Sequence, residues 1–143
     1  MIELPVTSNG RPSNVLRFEQ LMYLAVSLGL VHTLVQWNYE MEIVQASGMS
    51  VSYLVFLTLL GNAFLVLLIL QAARRHRNWA RWTLFILFMV SIVGFFPRTL
   101  NNPNPTTIAM TVKLGETLAM GIALFLVFTG NARDWFRPSQ SPA

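Results

Sequence analysis

An all-α fold is what this sequence predicts, a transmembrane four-helix antiparallel bundle with both termini in the cytoplasm. Three observations predict it. Of 143 residues, 54% are hydrophobic and only 11% are charged, whereas soluble domains carry about 25% charged residues. A soluble chain of this length has too little interior to hide so much apolar surface, so lipid must be the solvent for most of it. Four stretches reach the roughly 20 apolar residues that a bilayer-crossing helix needs, and the basic residues gather on one side of those stretches.

Residues 1–17 are polar and turn-rich, and no small-residue cleavage site closes the apolar run that follows, so the first hydrophobic segment is expected to be retained. The first span is expected over about 18–37, "FEQLMYLAVSLGLVHTLVQW", with an interfacial Trp37 at its end. A loop, "NYEMEIVQASG", leads to the second and most apolar span, about 49–71. The third, about 79–97, is expected to stop at Pro97, because proline lacks the donor that continues a helix. The turn-forming "RTLNNPNPTT" then leads to a fourth span over about 108–128, with Thr106 or Thr107 as its N-cap. Residues 129–143 form a basic tail. The short connections make successive helices antiparallel neighbours in a single transmembrane domain.

Charge sets the orientation. Arg11, Arg17, Arg74, Arg75, Arg77, Arg81, Arg133 and Arg137 precede span one, join spans two and three, or follow span four. Only Arg98 and Lys113 fall on the other side, and eight against two places both termini in the cytoplasm. Arg74, Arg75, Arg77, Trp79, Arg81, Trp82, Arg133, Trp135 and Arg137 sit just beyond apolar runs, where they would contact lipid headgroups. The sequence pI near 10.4 therefore points to anionic lipid and not to nucleic acid.

"MYLAVSLGLVHTLVQW" from Met22, "RRHRNWARWTLFILF" entering the third span and the closing "LFLVFTGNARDWFR" together resemble small four-span bacterial inner-membrane proteins. The resemblance covers about residues 16–137. It implies a multi-pass protein of the cytoplasmic membrane and transfers no catalytic residue.

The residues able to carry chemistry lie inside the spans. Glu116 falls about 12 Å below the start of the fourth helix, where a charge costs roughly 2.5–3.5 kcal/mol on insertion scales. Lys113 stands three residues earlier, on the same side of the helix. Gly115, Ala119 and Ala123 form a small-residue stripe that invites close approach by another helix, so Glu116 is expected to face the bundle. His32 lies about 21 Å along helix one, in the same outer half. With Gln36 and Asn62 these residues could form a buried polar network, and a His32–Glu116 couple could relay protons. The structural alternative is a polar pair that fixes helix register.

Other chemistries are excluded or disfavoured. The absence of cysteine rules out disulfides and iron–sulfur ligation. His32 and His76 are expected at different depths, so neither a metal site nor haem ligation is expected and no cofactor is implied. Ser27 has no histidine partner, and neither G-x-S-x-G nor H-E-x-x-H occurs. Glu40 and Glu42, two apart, do not share a helical face. The sequence thus favours a non-enzymatic accessory, scaffolding or regulatory component of a membrane assembly, with a second copy or a larger complex as partner. The alternative is a small proton-coupled carrier with Glu116 as the coupling carboxylate. The two differ in one observable: a carrier surrounds Glu116 with a water-accessible pocket, and a scaffold seals it.

Overall fold

The structure is a computed structural model that describes residues 12–101, 106–130, 132 and 136, with the backbone alone for 95–101. It is helical throughout its elements: α1 Ser13–Val35, α2 Trp37–Ala46, α3 Val51–Arg75, α4 Asn78–Asn101 and α5 Thr107–Phe128. Helices α1, α3 and α5 are long and apolar enough to cross a membrane. The chain is therefore a multi-pass membrane protein by composition and helix length. In α3, whose most apolar window has a mean hydropathy of 2.5, only 11% of that window is buried within the molecule. A helix so apolar and so little covered needs lipid around it.

Local chemistry explains the boundaries and corrects three of them. Helix α1 starts at Ser13 and not near residue 18, because Pro12 (φ −59°) sets the entry and Val15 and Phe18 bury completely. The segment expected as a loop after Trp37 is the ten-residue helix α2. A single residue, Gln36 (φ −96°, ψ 13°), separates it from α1, and the bond from Glu40 N–H to Gln36 C=O carries the helical pattern across. Glycine ends α2: Gly48 adopts φ +72°, with Gly48 N–H donating to Gln45 C=O and Met49 N–H to Val44 C=O. This is the pairing that satisfies the last carbonyls of a helix. Ser50 caps α3 by accepting from Tyr53 N–H.

Helix α4 continues past Pro97 to Asn101. Proline removes its own donor but not those of the residues after it, and membrane helices tolerate that loss. Thr106 occupies the N-cap of α5 without a side-chain bond. The residues assigned to the tail are not all peripheral, since Ala132 and Phe136 belong to the buried core. Arg11, Arg133, Trp135 and Arg137 lie outside the described residues, as does the side chain of Arg98.

Helix α1 packs most extensively on α5 and also touches α3, while α4 touches α3 and α5, so the four long helices close a ring. α1 and α5 run antiparallel. Asn14 donates to the Thr129 carbonyl at one end, and Gly29 meets Glu116 towards the other. Gly130 (φ +60°) leaves room for this contact, since a Cβ there would lie 2.6 Å from Asn14 Nδ2.

Among the described residues the enclosed core lies at one end of the ring. Phe18 and Met22 of α1, Leu68 and Ile69 of α3, Leu84 of α4 and Val127 of α5 are fully enclosed, with Ala72, Ala73, Ala80 and Ala123 between them. These positions surround the α3–α4 turn, where His76 (φ 54°) takes the left-handed conformation and Arg77 N–H donates to Gln71 C=O. This is the arginine end of the molecule. Towards the far end the helices separate around a cavity.

Candidate functional site

Glycine at position 29 shapes the centre of the site. The Glu116 carboxylate lies against the α1 backbone there, with Oε1 only 3.4 Å from where a Cβ would stand. One turn earlier on α5, Lys113 Nζ donates to both carboxylate oxygens, at 3.0 and 3.1 Å. The i,i+3 spacing brings the two side chains together on one helix face. At 21% and 17% side-chain exposure the pair is neither sealed nor freely solvated.

The pair lines a cavity of about 620 Å³ to which all five helices contribute. From α1 come Gly29, His32 and Thr33, with Gln36 at the α1–α2 junction. α2 supplies Tyr39 and Glu40, α3 supplies Asn62, and α4 supplies Ser91 and Gly94. The apolar part of the wall includes Val26, Leu65 and Met120. A water molecule occupies ~30 Å³ of liquid, so a polar cavity of this size holds many. The five residues expected to form a polar site, Glu116, Lys113, His32, Asn62 and Gln36, therefore share one chamber.

Several hydroxyls and amides in the wall are engaged with the backbone. Thr33 Oγ1 donates to Gly29 C=O at 3.1 Å, Ser91 Oγ to Phe88 C=O at 2.8 Å, and Asn62 Nδ2 to Thr58 C=O at 2.8 Å. Such internal bonds satisfy polar groups on a membrane helix. The Asn62 amide oxygen takes no part in that bond.

Glu40 and Tyr39 were not among the expected site residues. Their signal was present as a period of four: His32, Gln36 and Glu40 fall on one face if the helix runs on past Trp37. Reading that segment as a loop hid it.

The arginine end is built differently. Glu19, 5% exposed, accepts from Arg74 Nε at 2.9 Å and from Tyr23 OH at 3.5 Å, joining α1 to α3. The guanidinium of Arg81 lies over the rings of Phe128 and Phe136, at 5.0 and 4.7 Å from their centroids. Trp82, Phe85 and Phe128 make edge-to-face contacts beside it. Of the residues expected to meet headgroups, Arg75, Arg77, Trp79 and Trp82 are exposed, whereas Arg74 and Arg81 also have these partners within the protein. His76 is in the turn at this end and His32 in the chamber at the other. Among the described residues no group of three or more metal-ligating side chains converges.

Comparison with protein-family models, curated proteins and solved structures gives no match to this chain.

Proposed function

We propose that the chain is a four-span protein of the bacterial inner membrane, both termini cytoplasmic, that carries a small polar solute through the chamber with Glu116 as the coupling carboxylate. One observation carries this reading over an accessory or scaffolding role: Glu116 borders an open cavity of about 620 Å³, lined by polar and apolar groups together, instead of being sealed by packed side chains. The fourth span is supported by the length of α4, whose 24 residues extend about 36 Å at the helical rise and so exceed the ~30 Å hydrocarbon layer. The side on which the arginines gather supports the orientation.

Binding and release, not bond-making, is the chemistry that fits. The Thr33 and Ser91 hydroxyls donate to helix carbonyls, whereas a nucleophile needs its proton directed at a base.

The chain contains no cysteine, so single cysteines can report water access without a background. In sealed membrane vesicles Ser91→Cys should react with a membrane-impermeant maleimide from the far side, and Ala72→Cys in the core should not. An unreactive Ser91→Cys in folded protein would return the accessory reading to first place.

A further inference from the structure

We propose that the chamber receives a small zwitterion with an apolar side chain, of the neutral aliphatic α-amino-acid class, which binds by dividing the Lys113–Glu116 pair. The proposal rests on the carrier reading and names its substrate class.

Charge pairing selects the class. Lys113 Nζ is shared between both oxygens of Glu116, so each charge is compensated by the other. A cation that takes the carboxylate leaves the lysine without its counter-ion. An anion that takes the lysine strands the carboxylate. Stranding a charge is penalised heavily at membrane depth. A neutral polar solute would need only groups such as Gln36 and Asn62 and would leave the ion pair undivided. Glu40 lines the chamber too, from α2; a zwitterion uses both charges of the α5 pair: its ammonium goes to Glu116, its carboxylate to Lys113, and one ion pair becomes two with neither member stranded.

The surroundings fit the remainder of such a molecule. Both charged side chains are partly exposed to the chamber, so the pair can be approached and separated. Val26, Leu65 and Met120 give an apolar wall for a side chain, with methionine adaptable in shape.

The test compares three probes of one shape: leucine, its decarboxylated amine 3-methylbutylamine, and its deaminated acid 4-methylpentanoate. Binding of each to the full chain in lipid nanodiscs is measured calorimetrically. Leucine should bind at least about tenfold more tightly than either analogue, as expected when one partner of a desolvated charge pair is lost. Glu116→Gln should shift the preference towards the acid and Lys113→Gln towards the amine. The paired exchange Lys113→Glu with Glu116→Lys keeps both charges and should keep leucine binding, which guards against variants that fail to fold. Equal or tighter binding of the amine or the acid to the unaltered protein overturns the proposal. So does absent leucine binding when Ser91→Cys is labelled from the far side, a result that leaves the chamber intact as a carrier site. Absent binding together with an unlabelled Ser91→Cys overturns the carrier reading as well.

Discussion

The same four long helices finish in opposite ways at their two ends. At the arginine end the facing positions are Ala72, Ala73, Ala80 and Ala123, with Phe18, Met22, Leu68 and Ile69 filling the space between backbones. At the far end α1 and α5 present Gly29, His32 and Thr33 against Lys113 and Glu116, and the ring holds a cavity instead of a core. Composition along each helix decides which outcome results. Small and aliphatic side chains let helices interlock through dispersion contacts, the main attraction left between helices in lipid. Polar groups at membrane depth need partners or water, so they hold a space open. The sealed end thus holds the helices together, and on the proposed reading the open end is where a ligand is met.

This contrast can be broken by substitution at its two ends. The largest effect is expected from Phe18→Ala, at about 2–3 kcal/mol of destabilisation. That is below the ~3–5 kcal/mol of soluble cores, because lipid and not water surrounds the separated helices. Leu65 packs against the enclosed core on one side and lines the chamber on the other, so Leu65→Ala should cost less, about 1–2 kcal/mol. Detergent-unfolding curves for the two proteins would check the difference, and equal losses would mean that the far end is packed as tightly as the other.

A smaller effect is expected at the Glu19–Arg74 pair. Glu19 is almost fully enclosed, but the Arg74 side chain is 56% exposed and can turn to water once its partner is removed. Glu19→Gln should therefore cost about 1 kcal/mol, well short of the 3–5 of a fully buried pair. Arg75→Gln on the exposed surface should stay within about 0.5 kcal/mol. The same unfolding assay separates them.

The smallest effect sharpens the comparison. At Gly29 an added methyl would stand 3.4 Å from Glu116 Oε1, an ordinary contact that the end of a flexible side chain can accommodate. Gly29→Ala gains helix propensity of about 1 kcal/mol and displaces the carboxylate slightly, so net stability should change little. Leucine at 29 would occupy the carboxylate's place. It should abolish solute binding while thermal stability measured without solute changes far less.

Much of this was legible in the residues. Apolar length announced the helices, and the i,i+3 spacing announced the Lys113–Glu116 pair. The stripe of Gly115, Ala119 and Ala123 signalled close approach, and Ala119 and Ala123 are indeed buried in α5, the main neighbour of α1. Glu40 was not legible, because a single non-helical residue at Gln36 and the polarity of "NYE" resemble a loop. The long-range choice of partner was not legible either. Glu19 has Arg17 two residues away, yet it is Arg74, 55 residues distant, that the packing of α3 on α1 brings to it. Sequence spacing reports neighbours within one helix, whereas ring closure decides neighbours between helices.

The aromatic stack around Arg81 has a practical corollary. Phe136 covers one side of that guanidinium and, with Ala132, belongs to the enclosed cluster. Ala132 and Phe136 thus belong to the structure that holds α4 and α5 together. Cutting the gene after codon 130 should weaken the whole assembly as an internal truncation would, and a purification handle belongs beyond Phe136.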